Sequence, residues 1–273
     1  MASLAFKIDE TEPTLKVVDG RYSYWKAIEV LQGYFDPKGN LSIDQATTRL
    51  HDMLPTADEY ENRGQPEMFG CVVLDIARQI PYTHPAQTDL VRLLRNMERS
   101  NRLNRLVTDE VYTFYLSMDD FKLSIREWYP WIFDEPGHYI NMCAFIARTS
   151  TAGITGLTGP NYAIWTMREN LENECNNEAY SELVNGAAVW IICAGQWVFN
   201  EIVQYPPILD DWFEKAWSNG PLYTGPIVGI QRWKFWKNGF QIAEQSASAN
   251  DECKKNARKA YDLMDVIERS CMF

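Results

Sequence analysis

An all-α fold, a single-domain helical bundle with two irregular Gly/Pro-rich connectors, is what this sequence predicts. Three observations predict it. Nearly every apolar run has helical period, the breaks between runs fall on Pro or Gly, and apolar/polar alternation with hairpin turns is nearly absent. The expected organisation is an N-terminal arm over residues 1–20, where Asp9, Glu10, Glu12 and Pro13 show little periodicity, and an all-helical domain over residues 21–273.

The first helix is predicted from Tyr22 to Tyr34, because Tyr24, Ile28, Leu31 and Phe35 recur at helical spacing before Asp36-Pro37-Lys38-Gly39 breaks it. Ser42 is the expected N-cap of a second helix running to Leu54, which Pro55 ends. Met68 to Gln79 carries Phe69, Val72, Val73, Ile76 and Ile80 on one stripe; Thr88 to Arg99 carries Leu90, Leu93, Leu94 and Met97 on another, with Pro81 and Pro85 between them. A further helix is expected from Thr108 through Tyr112, Tyr115 and Leu116 to Trp128, stopped by Pro130. The run from Tyr139 to Thr149 is apolar almost all round, which predicts a central helix.

The stretch Gly153-Ile154-Thr155-Gly156-Leu157-Thr158-Gly159-Pro160 is the first irregular connector. Helices are expected again from Tyr162 to Glu174 and from Glu178 to Ile202, the latter ended by Tyr205-Pro206-Pro207. Residues 219–229, with Pro221 and Pro226, form the second connector. Beyond it Trp233, Trp236 and Phe240 fall at i, i+3 and i+7, on one helical face edged by Arg232 and Lys237, and aromatics at this spacing are more often core than pocket. A long polar helix ends near Glu268.

Composition bounds function. A net charge of −11 disfavours nucleic acid, whose phosphates are met by clustered Lys and Arg. The six cysteines include no Cys-x-x-Cys pair, and Cys71, Cys143 and Cys193 sit in apolar runs, so reduced thiols in a cytoplasmic protein are expected. The N-terminal apolar run stops at Phe6 without a basic flank, so no secretory signal is expected. The longest strongly apolar run, Ala187 to Ala194, falls short of the roughly 20 residues a membrane span needs. A homo-oligomer stays open.

Four segments carry a family resemblance: His138 to Arg148 (HYINMCAFIAR), Ala163 to Glu172 (AIWTMRENLE), Ala187 to Gly195 (AAVWIICAG) and Gln231 to Trp236 (QRWKFW). Together they resemble a fungal family of helical proteins catalogued as a domain of unknown function. The resemblance implies a helical fold in a fungal, cytosolic setting. Because members stand near genes for small-molecule biosynthesis, it also implies secondary metabolism. Gly239 departs from the pattern, since similar sequences tend to carry a basic residue there.

Chemistry-bearing patterns are sparse. His51, His84 and His138 are scattered, which disfavours a zinc site. Asp210-Asp211-Trp212-Phe213-Glu214 has the Asp-Asp-x-x-Glu spacing that can turn carboxylates to one side of a helix and chelate magnesium, and Asp119-Asp120 is a second acidic pair. Acidic residues also favour helix N-termini, and capping is the favoured reading of Asp210 and Asp211 after Pro206-Pro207. Asn177, Ser181 and Asn185 lie on one helical face and echo the second metal motif of class I terpene cyclases, with an amide where that motif has a carboxylate.

Three functions follow. The most specific is a magnesium-dependent class I terpene cyclase of fungal secondary metabolism. In it either Asp119 and Asp120 or Asp210, Asp211 and Glu214 hold Mg2+, Arg232, Asn177 and Ser181 meet the isoprenoid diphosphate, and Trp165, Trp190, Trp197 and Trp233 shield a carbocation. The second is a metal-free cyclase or isomerase acting on an apolar intermediate. The third is a non-catalytic helical interaction or regulatory protein. An apolar cavity of roughly 300 Å³ or more with polar groups at one end separates the first two from the third.

Overall fold

The computed structural model describes residues 4–7, 24–39, 41–53, 66–98, 106–108, 113–115, 118–128, 135–174, 179–208 and 210–271. Contacts divide the chain into two compact units, Met1–Asp134 and Glu135–Phe273.

In the first unit α1 (Tyr24–Phe35), α2 (Ile43–Met53), α3 (Pro66–Gln79) and α4 (Ala86–Glu98) follow the predicted stripes. Their apolar faces meet in a core that includes Ile28, Leu31, Leu50, Val72, Val73, Ile76, Leu90, Leu94 and Met97, all buried. Ser42 caps α2 as expected: its Oγ accepts from the Gln45 N–H (3.2 Å) while Gln45 Oε1 accepts from the Ser42 N–H (2.9 Å). Two otherwise orphaned backbone donors are satisfied by this reciprocal pair.

The expected helix from Thr108 to Trp128 is shorter. Among the described residues its second half is helical, as α5 (Met118–Trp128), and it is preceded by β1 (Leu106–Thr108) paired antiparallel with β2 (Thr113–Tyr115) in the register Val107↔Phe114. Val107, Thr108, Thr113, Phe114 and Tyr115 are β-branched or aromatic and lose less freedom in a strand than in a helix, so the helical spacing of Tyr112 and Tyr115 misleads. α5 packs on α3 through Phe121 and Ile125, both buried. Among the described residues this hairpin is the one departure from an all-α fold.

The second unit comprises α6 (His138–Thr151), α7 (Gly159–Leu171), α8 (Tyr180–Phe199), α9 (Asp211–Ala216), α10 (Ile230–Gln245) and α11 (Asp251–Cys271). α7 starts inside the predicted connector, because Pro160 occupies its first turn, where the missing N–H costs nothing. α6 is buried continuously from Ile140 to Ala147, as its all-round apolarity predicts. α8 is the hub and packs against α6, α7, α10 and α11. Gly186 permits the close α6–α8 approach, since a Cβ there would lie 2.3 Å from Tyr139 Cε1. On the other side Asn256 Nδ2 donates to Asn185 Oδ1 (3.0 Å) in the buried α8–α11 seam. Trp233, Trp236 and Phe240 of α10 are fully buried, so the aromatic stripe is core.

α8 is not the uninterrupted helix the sequence predicts. Ala194 leaves helical geometry (φ −141°, ψ 15°), and from Asn200 to Gln204 the backbone winds as a π-helical turn. Tyr180–Gln204 is also the one segment among the described residues long and apolar enough to cross a membrane, and 61% of its most apolar window is buried inside the fold. That burial matches a core helix.

Candidate functional site

At the C-terminal end of α7 the carboxylate of Glu172, fully buried, is surrounded by donors. Oε1 accepts from Arg232 Nε (2.7 Å) and from the indole N–H of Trp236 (2.6 Å). Oε2 accepts from Arg232 Nη2 (3.1 Å) and from the Gly220 N–H (2.7 Å). Arg232 spends its remaining N–H groups on the carbonyls of Trp217 (2.6 Å), Ile227 (2.8 Å) and Ser218 (3.3 Å). All five guanidinium donors are thereby used, which is what lets a buried ion pair persist. Gly220 is required beside it, since a Cβ would lie 2.6 Å from Glu172 Cβ and 2.7 Å from its carbonyl oxygen. Nearby Tyr223 has its phenol pKa raised by burial, an effect the Arg232 charge partly offsets.

This cluster pins the 217–227 connector onto α7 and α10, and it absorbs Arg232. Arg232, expected at a phosphate, has no donor left to offer one. Trp165 donates its indole N–H to the Ala216 carbonyl (2.6 Å) and stacks edge-on to Tyr162. Trp233 is buried edge-on against Phe199, with ring centroids 5.0 Å apart, and Trp190 is buried beside the Cys143 thiol, whose pKa burial raises. Trp197 lines a groove.

Of the acidic residues, Asp210 caps a helix. Asp210 Oδ1 accepts from the N–H groups of Trp212 (3.0 Å) and Phe213 (2.9 Å), the capping arrangement the sequence favours. Asp211 and Glu214 lie exposed on α9, beside Lys215, Ser218 and Ile227 in a surface hollow of about 530 Å³. Asp119 and Asp120 occupy the first turn of α5 in the other unit, and their side chains lie outside the described residues. Among the described residues no three His, Cys, Asp or Glu side chains are grouped so that they could hold a metal ion.

Asn177 lies outside the described residues. Ser181 Oγ accepts from the Asn250 N–H (2.9 Å) and donates to the Ser248 carbonyl (3.4 Å), tying the turn before α11 to α8. The polar face shared by Ser181 and Asn185 therefore fastens α11.

What the sequence does not single out is a groove of about 490 Å³ along the broken end of α8. Its walls are Ile191, Ile192, Cys193 and Trp197 of α8, Thr151 of α6, and Leu263 and Ile267 of α11, with Gln196 and Asn200 at the π-turn end. Where Ala194 leaves the helix, Gly195 contributes no side chain, and a Cβ there would press on Ile267 Cδ1 at 3.1 Å. The floor is thus backbone. Gln196 Nε2 donates to Asn200 Oδ1 (3.0 Å) and contacts Cys271 Sγ (3.3 Å). The Cys193 thiol has its pKa raised by burial. The break at Ala194 and the π-turn that precedes Tyr205-Pro206-Pro207 bound the groove; π-turns mark functional sites more often than chance.

Fold and groove together define an all-helical protein with an apolar recess at a break in its core helix. A family model described as a protein of unknown function (DUF3632) matches residues 71–240, and the chain belongs to that family. No curated protein and no solved structure matches the chain.

Proposed function

We propose that this protein binds an apolar small molecule in the α8 groove without a metal, a role that suits the secondary metabolism implied by the fungal resemblance. The observation that carries the reading is the groove: its size lies within the 300–1,000 Å³ range, roughly, of small-molecule sites, and its walls are mostly aliphatic and aromatic with polar groups gathered at one end. Ile192, Cys193, Trp197 and Leu263 are only half-buried, so an apolar ligand would remove their remaining surface from water. A metal-free cyclase or isomerase would use the groove to fold its substrate by shape. A simple carrier would use it without chemistry.

Thermal unfolding with a set of long-chain alcohols tests the reading. At a ligand concentration 100 times Kd the bound form gains about 2.7 kcal/mol, a readily measured rise in Tm. Leu263→Trp, which fills the groove from a half-buried position, should abolish the rise while leaving the unliganded Tm near wild type. No rise with any apolar ligand removes the reading. A rise that needs magnesium and a diphosphate together would restore the metal-dependent cyclase.

The interaction-protein reading has its own observation: after Pro206-Pro207, Ile208 is 93% exposed, next to exposed Tyr205 and Trp212. Self-association that depends on concentration and is lost in Ile208→Asp would favour it.

A further inference from the structure

Two cations, Arg148 of α6 and Lys259 of α11, stand one helical turn before residues that line the groove. Gly137, just before α6, donates its N–H to Glu182 of α8, and Tyr139 further along packs at Gly186 further along α8. Asn256 of α11 bonds Asn185, and Cys271 meets Gln196. The pairings ascend together, so α6, α8 and α11 run parallel and their residues can be ranked by level. Thr151 and Leu263 line the groove. Arg148 stands three residues before Thr151, and Lys259 four before Leu263, so each lies one turn back on the same face as a lining residue.

The two cations also share a neighbour, since the charges of Arg148 and Lys259 each oppose the burial that raises the Cys193 thiol. Lys259 is exposed, and no carboxylate pairs with it among the described residues. Its neighbour Arg258, by contrast, is bound to Glu244 and Asp262. On a chain of net charge −11 two cations at the mouth of an apolar groove form a local inversion of sign. Arg148 is half-buried and gives one N–H to the Ala144 carbonyl (3.1 Å), so the exposed Lys259 is the more accessible charge, and an apolar groove beside these cations suits a ligand with the same division of polarity.

We propose that the groove takes an anionic amphiphile, its apolar chain along Ile191, Ile192, Leu263 and Ile267 and its carboxylate or phosphate head at Arg148 and Lys259. The proposal rests on the groove being a ligand site, and it names the ligand class.

The test measures binding of dodecanol, dodecanoate and dodecyl phosphate, each below its micelle concentration, to the full chain in low and high salt. The anions should bind about fivefold or more tightly than the alcohol at low salt, and the advantage should shrink as added salt screens the exposed Lys259 charge. Lys259→Gln should remove the advantage and leave alcohol binding unchanged. Comparing the two anions identifies the preferred head. Equal affinity for alcohol and anions, or an anion preference that survives Lys259→Glu, overturns the inference and leaves the groove reading standing. Failure of all three probes to bind overturns both.

Discussion

Replacing Arg232 with Met tests the assignment of the Glu172–Arg232 pair to the core. Met keeps an unbranched apolar chain in the slot but removes every donor. The Glu172 carboxylate would retain only the Trp236 indole and the Gly220 N–H, and the carbonyls of Trp217, Ile227 and Ser218 would lose their partner. Both side chains of the pair are fully buried, so water cannot compensate the stranded charge without opening the fold. Breaking such a pair costs about 3–5 kcal/mol. For a unit of this size that corresponds to a fall in Tm on the order of 10–15 °C. Arg232→Lys should cost less, roughly 1–3 kcal/mol, because the charge survives while the bidentate fork is lost.

Glu172→Leu should be as damaging as Arg232→Met, yet the double variant should cost well below the sum, with a coupling of about 2 kcal/mol or more. Urea unfolding followed by tryptophan fluorescence is the suitable assay, since Trp217, Trp233 and Trp236 are buried around the pair. Arg232→Met within about 1 kcal/mol of wild type, or strictly additive single variants, would refute the reasoning. A phosphate-binding Arg232 would show that pattern, because a ligand contact contributes nothing to the unliganded fold.

The fold was legible in the sequence wherever burial is one-sided. The stripes of α1 to α4, the Ser42 cap, the all-round apolarity of α6 and the α10 aromatics each follow from periodicity plus a local stop signal. The β1–β2 hairpin was missed because Tyr112, Tyr115 and Leu116 fit a helical stripe as well as a strand, and three-residue strands are too short to show alternation. The site was hardly legible. Arg232 and Trp236 are separated from Glu172 by 60 and 64 residues, and nothing local predicts which buried carboxylate an Arg will find. The groove depends on a backbone break at Ala194, an event of tertiary packing that composition does not encode. Conversely, the acidic spacing at 210–214 was visible, and there the capping expectation holds for Asp210, whose carboxylate meets the first N–H groups of α9.

Three further outcomes follow from single contacts. Gly186→Ala places a methyl 2.3 Å from Tyr139 Cε1 and 3.0 Å from Cys143 Sγ, and should destabilise by about 1–3 kcal/mol; an unchanged calorimetric Tm would show that α6 and α8 do not meet there. Asp210→Ala should cost about 1 kcal/mol through the lost cap, and a magnesium-induced stabilisation present in wild type but absent in the variant would overturn the capping role. The last concerns pH. Glu201, in the π-turn, is half-buried, and burial raises its carboxyl pKa above the ordinary value of 4.5. The native state therefore holds this proton more tightly than the unfolded chain, and stability falls as pH rises from the ordinary value to the raised one, staying lower above it. Glu201→Gln removes the penalty, so its Tm should exceed wild type at neutral pH, with the two curves converging below the ordinary carboxylate pKa. A Gln variant less stable than wild type at neutral pH would mean that the ionised carboxylate is held by a favourable partner, and that burial is not the dominant influence on it.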